Sequence, residues 1–154
     1  MKYLLYFALL LLPSFVFAID DLTASQRISS AGMRTQNERL KIIAQNIANA
    51  NSTGSTPDSE PYRRKMPLIQ ESYDPLLKAK VVKLQKIVKD KSEFELRYEP
   101  QHPAADKAGY VKYPNVKLPL ETVDAKEAQR TYEANMSALE IAKSNQMRII
   151  EALK

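Results

Sequence analysis

Neither cysteine nor tryptophan occurs in this chain, which excludes disulfides and Cys-ligated metals and leaves no thiol for redox chemistry. The lack of cysteine is also compatible with an oxidising compartment. Glycine is scarce, with 3 residues in 154, and no glycine-rich run could cradle a phosphate. A single histidine, His102, limits acid–base and metal chemistry. With 4 phenylalanines, the aromatic material for a large globular core is missing as well. The length fits one domain, with room for a small insertion.

The N-terminus has the one long apolar run. Lys2 provides a short positive region, an apolar stretch follows, and Pro13 breaks it. Val16-Phe17-Ala18 then offers small residues at the two positions a signal peptidase reads, so cleavage is expected after Ala18. The rival reading is an uncleaved anchor, but the run spans about 16 residues where a membrane span needs roughly 20. No second hydrophobic segment follows, so no stable membrane span is expected once the signal is removed. Loss of residues 1–18 takes away only Lys2, lowering the formal charge from +5 to +4.

Two amphipathic stretches enclose the rest. Residues 19–51 predict a helix in which Leu22, Ser29, Met33, Gln36, Leu40, Ile43, Ile47 and Ala50 recur in alternating steps of three and four. At 1.5 Å per residue it would be about 45 Å long, more than a small globule needs. Gly32 is a weak point in it, costing up to about 1 kcal/mol relative to Ala. Asn46, Asn49 and Asn51 mark its stop, since their amides suit helix ends better than interiors. Residues 121–154 predict a second helix with a seam of Ala125, Ala128, Tyr132, Asn135, Leu139, Ala142, Gln146, Ile149 and Leu153. Its small residues permit close approach of another helix, and Asn135 and Gln146 can set register at a cost in stability. Neither seam is strongly apolar, so the helices are expected to pair with each other and leave flanks such as Met136, Met147 and Ile150 for neighbours.

Residues 52–120 have a different character. Residues 51–61 are loop by composition, Leu68-Ile-Gln reads as a short strand, and the β-branched residues around Val81, Val82 and Val88 favour strand over helix. Phe94, Leu96 and Tyr98 alternate on one face, and Pro100, Pro103, Pro114 and Pro119 punctuate the remainder. The predicted fold class is α+β: long terminal helices paired as a coiled-coil-like hairpin around a small β-rich or irregular insertion.

Candidate chemistry is thin. His102 and Asp106 form a conceivable acid–base or metal pair, although a turn bonded to its own backbone explains them more simply. Tyr98, Tyr110 and Tyr113 could make a binding platform, but aromatics on short strands more commonly fill a core. Lys78, Lys80, Lys83, Lys86, Lys89 and Lys91 crowd one stretch with only Asp90 opposing them. They suit either an anionic surface, such as a cell-wall polymer met by a free periplasmic protein, or a solvated strand guarded against edge pairing. Without interleaved stacking aromatics, nucleic-acid binding is not expected. Neither enzyme activity, a cofactor nor a small-molecule substrate is predicted.

Several motifs together resemble the bacterial flagellar rod and hook proteins. They are Leu22-Thr-Ala-Ser, Ser29-Ser-Ala-Gly-Met33 and Asn46-Ile-Ala-Asn-Ala-Asn-Ser-Thr53 near the first helix, and Ala128-Gln-Arg-Thr-Tyr-Glu-Ala-Asn135 with Leu139 and Lys143 in the last. In the middle, Pro61-Tyr-Arg-Arg-Lys65, Tyr98-Glu-Pro-Gln-His-Pro-Ala-Ala-Asp106 and Gly109-Tyr-Val-Lys-Tyr-Pro-Asn-Val116 are similar to the proximal-rod group of that family. The resemblance runs in order through nearly the whole chain after the leader. It implies a structural subunit of the periplasmic rod, transmitting torque, with terminal helices that pair and pack between subunits. It also implies self-association, and other rod proteins and the basal-body base as partners. Two features depart from the pattern. Gln101 stands where the family usually has glycine, and members of the family travel through the flagellum's own export channel without a cleaved secretory peptide.

Overall fold

The structure, a computed structural model, describes the backbone of residues 2–152 and the side chains of residues 22–152. The expected cleavage residue Ala18 has its side chain outside that range, and Leu153 lies outside the described residues altogether. Helix α1 spans Lys2–Ala48 and helix α2 spans Leu118–Ala152. Between them lie strands β1 (Lys65–Asp74), β2 (Ala79–Lys89), β3 (Glu95–Tyr98) and β4 (Tyr110–Tyr113). This is the α+β arrangement of paired terminal helices around a small β-rich insertion.

The two helices run antiparallel. Gln26 Nε2 donates to Gln146 Oε1 at 2.7 Å near one end, and Asn46 Nδ2 donates to Glu121 Oε2 at 3.0 Å near the other. Between these, Gly32 on α1 faces Asn135 on α2: a Cβ added at Gly32 would lie 2.7 Å from Asn135 Oδ1. The missing side chain that weakens the helix locally is therefore what lets the Asn135 amide sit in the seam. That amide also donates to the Thr131 carbonyl at 2.8 Å. Ala128 and Ala142 are buried on the same side of α2, while Ala125, Tyr132, Leu139, Gln146 and Ile149 are half-buried.

Each helix boundary has a local cause. The Asn49 side-chain amide donates at 2.8 Å to the Gln45 carbonyl, which also accepts the Asn49 backbone N–H at 3.1 Å, so this side chain folds back onto the last turn of α1. Helix α2 starts at Leu118, ahead of the expected residue 121, because Pro119 falls in the first turn, where its missing N–H costs nothing. The Lys117 carbonyl accepts from the Leu120 and Glu121 amides and opens the helix.

Strands β1 and β2 form an antiparallel hairpin that is far longer than the Leu68-Ile-Gln core suggests. Pro67 does not end β1, because a two-stranded sheet has only edge strands and these tolerate a missing N–H. The register slips between Leu68 and Ile69, which face Lys86 and Leu84 and leave Gln85 as a bulge. The hairpin leans on α1: Val81 is buried, and the Thr35 hydroxyl lies 2.9 Å from the Val82 carbonyl and 3.0 Å from that of Ala31. Thr35 and Ile42, two turns apart, thus form a second buried stripe on α1 beside the predicted seam. Lys80, Lys83, Lys86 and Lys89 are exposed along β2, where they guard an unpaired edge.

The smaller sheet, β3 with β4, corrects one expectation. Its tyrosines do not fill a core: Tyr98 and Tyr110 are exposed and meet edge-on, with centroids 5.4 Å apart, while Val111 is fully buried. A strand pair this short has one residue's width of inner face, and the smaller β-branched side chain takes it. Gly109 adopts φ +85° beneath that pair, where a Cβ would come within 2.8 Å of the Tyr98 ring. Gln101, by contrast, needs no left-handed backbone. Lys78 is the one non-glycine residue with positive φ among the described residues, so the turn around Gln101 forms without glycine.

The Gly32–Asn135 contact can be tested by a mutant cycle. Gly32→Ala should gain up to about 1 kcal/mol of helix propensity only when Asn135 is also Ala. In the native background the displaced amide should cancel or reverse that gain. Urea unfolding of the four proteins should return a coupling of about 1 kcal/mol or more, and additivity would refute the contact.

Candidate functional site

The most ordered chemistry in the molecule is a polar junction where the end of α1, the start of β1 and the first turn of α2 meet. Asn46 is 1% exposed and Glu121 is 0% exposed. Asn46 uses its whole hydrogen-bonding capacity. Its Nδ2 donates to the Lys65 carbonyl at 2.8 Å and to Glu121 Oε2 at 3.0 Å. Its Oδ1 accepts from the Lys65 amide and from the Tyr62 hydroxyl, each at 2.9 Å. One side chain thus pairs with a strand's backbone as a neighbouring strand would, and joins that strand to both helices.

Glu121 is met on its other oxygen by Arg64 Nε at 2.5 Å. The same guanidinium reaches Asp124 at 3.4 Å and Asp90 at 3.7 Å, and Arg39 of α1 approaches Asp124 at 3.6 Å and Glu127 at 3.4 Å. Arg63, adjacent in sequence, turns the other way and stacks over Phe94 with 4.1 Å from guanidinium carbon to ring centroid. Asn115 completes the junction: its Oδ1 accepts from the Arg64 amide at 2.8 Å and its Nδ2 donates to Ser92 Oγ at 2.9 Å.

These contacts tune two protonation equilibria. Burial, and secondarily the Glu121 carboxylate, push the Tyr62 phenol above its ordinary pKa, so it stays protonated and donates to Asn46. The Ser92 backbone N–H, at 2.8 Å, with the Arg64 guanidinium as a smaller contributor, holds the Asp90 carboxyl below the usual carboxylate range. Both Glu121 oxygens are engaged by donors, so the site offers no free acid or base. Its physical effect is to fix three chain segments in register.

The other sequence candidates lie elsewhere. His102 Nδ1 accepts from the Ala104 amide at 3.0 Å, so Nε2 carries the hydrogen it offers to Thr53 Oγ1 at 3.4 Å. Asp106 Oδ1 accepts from the Ala108 and Tyr110 amides. The two residues therefore serve the loop between β3 and β4 and do not bond to each other. Of the predicted seam on α1, Ile43 is buried, Leu22, Met33 and Leu40 are half-buried, and Ile47 is 40% exposed. Sequence reasoning missed Glu121 and Arg64. A charged residue in a helix's first turn looks like an ordinary dipole partner, and nothing local distinguishes Arg64 from Arg63.

The motifs that looked unrelated along the chain converge here: Asn46, Tyr62, Arg64, Lys65 and Asn115 come from three of the segments noted above. Comparison with known proteins divides the same way. Residues 27–55 match the family model described as flagella basal body rod protein, and residues 107–152 match that of the flagellar basal body rod FlgEFG protein C-terminal. The flagellar basal-body rod protein FlgC of Agrobacterium fabrum is 39% identical over 136 residues, covering 88% of this chain and 98% of that protein. The chain belongs to the FlgC family of flagellar basal-body rod proteins. FlgC of Borreliella burgdorferi is also 39% identical, over 80% of this chain and 91% of that protein. FlgC of Bacillus subtilis is 34% identical, over 82% and 95%. The two family-model segments carry Asn46 and Glu121, the two most buried polar residues of the junction, in opposite helices.

Two outcomes follow for the junction. Glu121→Ala leaves Arg64 and an Asn46 N–H without their buried partner and should cost about 3–5 kcal/mol in urea unfolding; a loss below about 1 kcal/mol would show that the cluster is not structural. Asp90 has a depressed folded pKa, so its stabilisation is fully present above the unfolded value of about 3.9 and is lost as pH falls through the folded value. Asp90→Asn should be less stable than the parent at pH 7, and the two stability curves should converge in acid.

Proposed function

We propose that the chain is a non-catalytic structural subunit of the flagellar basal-body rod, and specifically of its proximal part. The observation that carries this reading is the 39% identity extending over 98% of an established rod protein, far beyond a shared helix motif. Delivery is through the secretory leader, with cleavage after Ala18. Assembly runs through the helix seams, with Leu22, Met33, Leu40, Ile43, Ile47 and Leu153 contributing beside Ala128, Tyr132, Asn135, Leu139, Ala142 and Ile149. Partners are other rod proteins, the basal-body base and further copies of the chain.

The physical argument is one of incomplete burial. Leu120, Val123, Met136, Ile141, Met147 and Ile150 are exposed on α2, more apolar surface than one helix pair needs to leave in water. Burying it between subunits releases that surface from water, and the polar junction keeps the two helices in register while neighbours press on them. Among the described residues no helix is long and apolar enough to cross a membrane.

The decisive measurement is intact mass of the native protein with whatever copurifies. A chain beginning at Ile19 in complex with flagellar rod proteins is expected. A chain that retains residues 1–18 would overturn the processing, and one recovered without rod proteins would overturn the function.

A further inference from the structure

The hairpin does not lie flat on the helices. Where its tip leans over α1 it leaves an open cleft of about 760 Å³. The floor is apolar, made by Ala31, Leu77, Val81, Leu84 and Leu139. The rim carries four exposed cations, Arg27 and Arg34 of α1, Lys83 of β2 and Lys143 of α2. None of the four makes an ion pair among the described residues. The two acids of the cleft are already engaged: Glu38 pairs with Lys41, and Asp74 accepts the Leu76 amide. An apolar floor under a positive rim calls for an apolar knob flanked by carboxylates.

The chain presents such a feature itself. On α2, Glu133, Met136 and Glu140 share one exposed flank, spaced three and four residues apart. Glu140 makes no hydrogen bond or ion pair among the described residues, and Glu133 accepts only from Gln129 on its own helix. The spacings agree. Arg27 and Arg34 are two turns apart, about 10.5 Å along the axis, and so are Glu133 and Glu140. Between the arginines lies the small side chain of Ala31; between the glutamates lies the flexible side chain of Met136, which adapts to irregular apolar gaps.

We propose that this cleft receives the ridge of Glu133, Met136 and Glu140 from a second copy of this chain, an inference that deepens the rod reading and rests on it for the need to self-associate. Met136 enters over Ala31 while the two glutamates meet Arg27 and Arg34 together. The ridge adjoins the rim, since Lys143 lies three residues beyond Glu140 on the same helix; where the ridge of each copy enters the cleft of the next, the contact is heterologous and can be repeated along a helical assembly.

The test uses the full chain as cells export it. Sedimentation velocity should reveal concentration-dependent association that weakens with salt. The paired changes Arg27→Glu with Arg34→Glu, and Glu133→Arg with Glu140→Arg, should each weaken association at least about tenfold, and an equimolar mixture of the two variants should recover it. Because the chain has no cysteine, a second readout is clean: Ala31→Cys mixed with Met136→Cys should give a disulfide-linked heterodimer on oxidation. A parent chain that stays monomeric at every concentration sinks the contact, as does association unaffected by the reversals or a mixture that recovers nothing. Recovery of rod proteins with the reversal variants from cells is read separately. If it persists while self-association is unaltered, this contact fails and the rod reading stands.

Discussion

Glu121 is a carboxyl group from which water is excluded, and the rest of the structure is arranged so that oriented donors take the place of that water. Removing such a group from water costs several kcal/mol unless donors replace the solvent. Arg64 occupies one oxygen and Asn46 the other, and Asn46 can do so only while the backbone of Lys65 and the hydroxyl of Tyr62 hold its amide in place. Each group has one geometry that satisfies it. The cluster therefore contributes little net stability over an apolar replacement, yet it penalises every other register of α1, β1 and α2.

That specificity matters because the helix pair has little else to align it. Its inner surfaces are built from Ala, Gly, Asn, Gln and a few larger residues, so a slide of one turn would exchange one weakly apolar contact for another. Gly32 against Asn135 and Gln26 against Gln146 add two further polar or steric marks along the seam. A shaft that carries torque benefits from register that is over-determined in this way, since slip would have to break several oriented bonds at once.

The hairpin follows a different logic. A two-stranded sheet is marginal in water by itself, and this one is steadied at its root by Arg63, Arg64 and Asn115 and along its length by the Thr35 hydroxyl of α1 beside the Val82 carbonyl and by the burial of Val81 of β2. Its tip remains open to solvent, with Leu76 87% exposed. The lysines of β2 discourage indiscriminate strand addition, while the cleft beneath the tip keeps an apolar surface available. The same element thus limits wrong contacts and leaves space for a specific one.

Local patterns in the chain determined a good deal. The period of α2 placed Ala128, Tyr132, Asn135, Leu139, Ala142 and Ile149 on the face that is in fact turned inward, because a helix's inner face depends only on spacing along one segment. The β-branched residues around Val81 specified a strand through local propensity, where spacing alone fitted a helix as well, and the family motifs specified the kind of protein. Tertiary structure alone decided what Asn46, Arg64 and Glu121 do. Their partners lie 19, 57 and 75 positions apart, and a buried carboxylate looks the same in a sequence as a solvated one until the groups around it are known. It also decided that Tyr98 and Tyr110 lie outside and that Ile42 lies inside, since a second face of α1 is buried only when the hairpin folds back onto it.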